Sequence, residues 1–212
     1  MENGQDGGNM RKHIRRIGFL VVLVAAVWTG GLLADSARLR SELLRLHVVG
    51  ASDSEADQQV KLRVRDAVLA TLEQGLKDVQ DVDQAVAYVR TMLPRLEQTA
   101  NRVLEECGFP QTVTASIGEE AFPTRDYDTF RLPSGVYKAL RIVIGEGEGQ
   151  NWWCVVFPEL CMGATSEQFV ETASLEGFDR QLCGTLTGEY EIRFWILDQL
   201  GRLGNFLHRD SE

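Results

Sequence analysis

Two apolar runs, Leu140 to Ile144 and Trp152 to Phe157, are separated by Gly145-Glu146-Gly147-Glu148-Gly149, and this pattern constrains the chain more than any other. Short apolar runs bounded by turn residues read as buried strands. The glycines between them accept positive φ, so the stretch Ala139 to Cys161 predicts a central hairpin. Cys154 and Cys161 bracket Pro158. A turn there brings the two to bonding distance, so a disulfide is expected to close the second strand.

The rest of the chain is read in order. Leu43 to Val49 is strand-like and ends at Gly50; Ser54 and Asp57 then have capping-box spacing ahead of Val60, Val64, Val68 and Leu72 at helical period. A second helical period starts after Asp81, meets Pro94, which predicts a kink or a fresh start, and closes at Gly108. Val113, Ala115 and Ile117 alternate with polar residues as a half-buried strand, Ala121 to Pro133 reads as irregular, and Val136 to Ile144 as a strand. Residues 163–188 read as a loop. Ile192 to Ile196 alternates, which favours a last strand, and 201–212 reads as a flexible tail. The expectation is an α+β fold, a single domain over 38–200 with a mainly antiparallel sheet covered by two or three helices.

The N-terminus sets the location. Arg11, Lys12, Arg15 and Arg16 precede an apolar stretch from Ile17 to Trp28, the form of an export signal that holds its basic end in the cytoplasm. Thr29 with Gly31, or Ala34 with Ser36, has the small-residue spacing of a cleavage site. Uncut, Ile17 to Leu33 is about 17 residues, the lower limit of a bilayer span. Residues 1–34 are therefore a signal peptide or an N-terminal membrane anchor. Setting them aside leaves 18 positive and 29 negative side chains, a charge of −11. An acidic body repels phosphate backbones, which argues against nucleic acid. Export permits disulfides, and with Cys154 and Cys161 joined, Cys107 and Cys183 form a long-range pair or stay as thiols.

Few residues suggest chemistry. The glycine loop lacks the Gly-Lys-Ser/Thr of a phosphate loop, and Glu146 and Glu148 would repel an anion. Calcium held by these two with Glu119 and Glu120 lacks any recognised ligand spacing. His47 beside Ser52, Ser54, Asp53 or Asp57 is the one hint of a hydrolase, yet a strand histidine followed by a helix cap explains the same residues. No cofactor, metal or small-molecule substrate is expected. Trp152 and Trp153 face opposite sides of a regular strand, which puts one of them near the surface beside the glycine loop.

Three stretches resemble the stage II sporulation protein R family. They are L-R-L-H-V-V-G-A-S-D-S-E-A-D-Q-Q-V-K-L-R-V-R-D-A-V from Leu44, F-P-T-R-D-Y from Phe122 with P-S-G-V-Y-K-A-L-R-I-V-I-G-E-G-E-G from Pro133, and N-W-W-C-V-V-F-P-E-L-C from Asn151. After Cys161 the sequence departs from the family's usual continuation. The resemblance implies a signal rather than a catalyst. It would be exported from the forespore into the intermembrane space, where it would activate a membrane-embedded aspartic protease, stage II sporulation protein GA, which cleaves the sigma-E precursor in the mother cell. No catalytic residues come with the resemblance. The surface expected to meet that partner comprises Glu146, Glu148, Gln150, the tryptophans Trp152 and Trp153, and the turn with Ser52, Asp53 and Asp57.

Overall fold

The computed structural model describes residues 6–127, 130–158 and 180–209. Helix α1 (Asp6–Glu42) leads into β1 (Leu44–Val49), followed by α2 (Glu55–Leu76), α3 (Val82–Glu106) and β2 (Val113–Phe122). Two short strands, β3 (Arg125–Asp126) and β4 (Arg131–Leu132), pair with each other. The chain continues through β5 (Gly135–Ile144), β6 (Asn151–Phe157), α4 (Arg180–Leu186) and α5 (Glu191–Arg209). The result is an α+β domain with a mixed, mostly antiparallel sheet.

The four-stranded sheet has the order β2-β5-β1-β6. β5 and β6 therefore do not form the hairpin their adjacency predicts, because β1 lies between them, parallel to β5 and antiparallel to β6. The reason lies in β1 itself. All six of its residues are buried, Arg45 and His47 included, and a strand buried on both faces belongs in the middle of a sheet. Leu46 stands opposite Leu140 on one side and Cys154 on the other.

Each face of the sheet has its own core. Leu44, Leu46, Val48, Leu140, Ile142 and Ile144 pack beneath α2 and α3. Phe122, Tyr137, Ala139 and Val155 pack with Leu32 and Leu39 of α1, Leu182, Cys183 and Leu186 of α4 and Leu197 of α5. Cys107 belongs to the first core and Cys183 to the second, and both are thiols rather than a long-range pair.

Local signals explain the ends of the helices. Ser54 caps α2 by accepting from the Asp57 amide at 3.1 Å, and Asp81 caps α3 by accepting from the Gln84 amide at 2.8 Å. At the far end of α3, Gly108 takes φ +75°; its amide donates to the Glu105 carbonyl and that of Phe109 to the Leu104 carbonyl, the paired closure of a Schellman turn. α3 runs on through Pro94 without a new start.

The C-terminal third departs from expectation. Ile192 to Ile196 is helical, because Phe194, Leu197, Asp198 and Gly201 are the positions that bury, a spacing of three or four rather than two. That helix carries the expected tail to Arg209, and the end of the expected 163–188 loop is α4; residues 163–179 lie outside the described residues. β2 also reaches Phe122, two residues into the stretch read as irregular.

Candidate functional site

The end of β1 carries a crest formed by the turn before α2 and the Gly145–Gln150 connection. That connection must pass over β1 to reach β6, and main-chain bonds fix its path: the Gly149 amide donates to the Gly50 carbonyl at 2.9 Å, and the Gly145 amide to the Thr112 carbonyl at 2.8 Å. Gly145 at φ +58° and Gly147 at φ +69° use the freedom that only glycine offers cheaply.

Side chains tie the crest to α2. Asp53 Oδ1 accepts from the Gln150 amide at 2.7 Å, and Lys61 Nζ donates to the Gln150 carbonyl at 2.8 Å. Lys61 is buried, and burial lowers its pKa, with nearby Asp53 opposing the shift and Arg65 adding to it. The Asp57 carboxylate accepts from the hydroxyls of Ser52 and Ser54. The expected contact residues thus divide into two groups. Ser52, Asp53 and Asp57 are engaged in holding the turn, whereas Glu146, Glu148, Gln150 and Trp152 present exposed side chains. The Arg65 guanidinium lies 4.3 Å from the centroid of the Trp152 ring. Between them, Glu55, Gln59, Gln150 and Trp152 help line a shallow groove of about 450 Å³.

Trp153 faces the other side. It stacks on His47, with ring centroids 3.8 Å apart, and meets Phe122 edge-on at 4.7 Å. Beneath it His47 Nδ1 lies 2.6 Å from Glu120 Oε1, and Nε2 lies 2.8 Å from Asn151 Oδ1. Both ring nitrogens are occupied, and Ser52 and Ser54 instead bond Asp57, so the structure does not bring His47 together with the serines or acids of the turn. Next along β1, Arg45 is fully buried, its guanidinium carbon 4.1 Å from the Phe122 ring centroid and its Nη2 donating to the Tyr127 hydroxyl at 2.7 Å.

Sequence reading considered Glu120 only as a calcium ligand and missed its contact with His47, and it missed the roles of Asn151 and Arg45. A usable signal existed: in L-L-R-L-H-V-V two polar residues occupy alternate positions of an apolar strand, which places both on a single face that must supply partners.

A second groove, of about 610 Å³, runs between β2 and the end of α5 and is lined by Ser116, Glu119, Glu120, Arg141, His208 and Arg209. Its charges are of both signs, and no hydrogen bond joins Ser116 to a base among the described residues. Among those residues no cluster of three His, Cys, Asp or Glu side chains is placed to hold a metal ion.

The family description "Stage II sporulation protein R" matches residues 40–167, which takes in β1, the crest and β6. The chain belongs to the stage II sporulation protein R family. A relative named stage II sporulation protein R from Bacillus subtilis (strain 168) is 37% identical over 120 residues, covering 57% of this chain and 54% of the relative. The chain thus spans about half the length of the curated relative it matches. No solved structure matches it. The family match stops short of α4 and α5, so the helices that close the second core lie outside the shared region.

Proposed function

We propose that the protein is an exported signal of sporulation that acts by docking. It leaves the forespore, stays in the intermembrane space, and activates the membrane-embedded aspartic protease stage II sporulation protein GA, which then processes the sigma-E precursor. Membership of the sporulation family is the observation that carries this reading. The N-terminal helix supports it: Lys12–Glu42 contains a window of mean hydropathy 2.3, long and apolar enough to cross a membrane.

Docking acts through differential contacts, because a ligand shifts a partner only by binding one of its states better. The crest suits that role. Its backbone is fixed by Asp53, Lys61 and the glycines, so Glu146, Glu148, Gln150 and Trp152 are presented with little entropy left to lose on binding. Cys154 is oxidised while Cys107 and Cys183 are thiols, which supports its pairing with Cys161, a residue outside the described ones. Such a bond would brace β6, the strand that carries Trp152.

Co-expression of the protease and its precursor substrate, with and without this chain, tests the reading. Cleavage only in the presence of the chain is the expected result; equal cleavage without it rules the activator role out.

A further inference from the structure

Helix α1 does not stop where its apolar stretch stops. Leu20 to Val24, Val27 and Leu33 are exposed around the helix, but Leu32 and Leu39 are 2% and 1% exposed and belong to the second core. Asp35 forms a largely buried ion pair with Arg193 of α5. The apolar helix and the domain are therefore one continuous piece.

The position of α5 follows from two contacts. Arg193 meets Asp35, and eleven residues later Gly204 lies beside Arg40, whose guanidinium folds back onto the Ser36 carbonyl. Those eleven residues span about 16 Å of α5, yet they meet a window of α1 about 7 Å long. α5 thus crosses α1 rather than running beside it, just beyond the end of the apolar stretch. Leu197 faces the core of the sheet, Phe194, Asp198 and Gly201 face the Thr124–Ser134 segment that leads into β5, and Arg193 and Gly204 face α1. The side of α5 opposite the sheet carries Ile192, Trp195, Leu203, Phe206 and Leu207, exposed at 73%, 63%, 57%, 64% and 61%. Five large apolar side chains on one outward stripe exceed what scattered surface residues explain.

We propose that α5 is an interfacial helix that rests on the bilayer surface where α1 emerges, with this stripe in the headgroup and upper acyl layer. The inference rests on reading α1 as a membrane span. With the sheet on the far side of α5 and the span on the near side, the outward stripe points back toward the lipid. Its composition fits: a tryptophan and a phenylalanine among aliphatics, with Arg202 and Arg209 at the margins, is the make-up of a helix lying in the membrane interface. The acidic body gains nothing from anionic lipid, so the seat is apolar and zwitterionic bilayers suffice. It would hold the domain in one orientation, with the crest presented in a fixed direction.

The test is reconstitution of the full chain carrying Trp28→Phe into phosphatidylcholine vesicles with or without bromine at shallow acyl positions, with no protease present. Brominated lipid is expected to remove the share of emission that Trp195 carries. Adding Trp195→Phe should abolish that loss, and adding Phe206→Trp to the double variant should restore it. Vesicle-bound chain whose emission is the same in both lipids overturns the seat, as does Trp195 that a water-soluble quencher reaches equally with and without vesicles. Crosslinks between Trp195→Cys copies that replace lipid quenching assign the stripe to a second copy, and also overturn it. Chain that fails to sediment with vesicles removes the span and the seat together. None of these outcomes depends on signalling, so failure here and failure of the activator role are distinguishable.

Discussion

Trp153 lies flat against His47, the ring planes 12° from parallel, and closes the only histidine of the sheet beneath an indole. With Glu120 and Asn151 at its two nitrogens, the imidazole is held on three sides. The arrangement predicts a structural role. His47→Gln should lower stability by about 1–2 kcal/mol through lost stacking and a misplaced hydrogen bond, seen as a lower urea midpoint with unchanged slope. Precursor cleavage by the folded variant should stay near wild type. Outright loss of cleavage with the urea midpoint unmoved would instead assign chemistry to His47.

Arg45 makes a complementary case. Its Nε and Nη1 have no hydrogen-bond partner, and the charge is compensated by the Phe122 and Tyr137 rings and the Tyr127 hydroxyl. A buried ion that is poorly paired adds little net stability, whereas its stem fills space. Arg45→Met should therefore change stability by less than about 1 kcal/mol, while Arg45→Ala should cost about 2–4 kcal/mol through the cavity it leaves. Equal losses for both variants, measured by urea unfolding, would show that the charge matters more than the volume.

Much of this was legible beforehand. The caps at Ser54 and Asp81, the close of α3 at Gly108 and the positive φ of Gly145 and Gly147 are decided by neighbours within a few residues, which is the range sequence patterns cover. Strand partners are not local. Nothing between Ile144 and Asn151 records that β1, some ninety residues earlier, takes the place between β5 and β6. Ile192 to Ile196 misled for a different reason: its alternation is real, but the packing of Leu197 with α4 and the sheet, and of Phe194 beneath Arg131, selects the helical face. At the crest the exposed residues were identifiable and Asp57 is held within its own turn by Ser52 and Ser54, whereas the engagement of Asp53 depends on a loop that comes back nearly a hundred residues later.

The crest predicts opposite outcomes for two substitutions. A Cβ on Gly149 would run into the Ser52 carbonyl, a backbone group that cannot swing aside, so Gly149→Ala must push the connection off Gly50. It should cost about 1–3 kcal/mol and free the Gly149 amide, which amide exchange would report. Glu146→Lys with Glu148→Lys alters exposed side chains alone and should move stability by no more than about 0.5 kcal/mol. The same pair should weaken sigma-E precursor processing. Normal processing with both lysines in place would take the loop out of the interface.

Asp198 anchors α5 and makes that attachment sensitive to acid. Burial pushes its carboxyl pKa up, but donors outweigh burial: the Thr124 hydroxyl, the Ser134 amide at 2.8 Å and Arg202 Nε at 2.9 Å hold the net value below the ordinary one. A carboxyl with a lowered folded value binds its proton more readily when unfolded, so its contribution is complete above the unfolded value near about 3.9 and disappears as pH falls through the folded one. Asp198→Asn should cost about 1–3 kcal/mol at neutral pH, since the amide cannot accept all of these bonds. The gap in urea midpoint between the variant and wild type should then narrow steadily below about pH 4, as wild type loses what the variant never had. A gap that stays constant from neutral pH into acid would mean that the charge on Asp198 does not hold α5 to the Thr124–Ser134 segment, and that the close approach of Gly201 to the Ser134 carbonyl does so by packing alone.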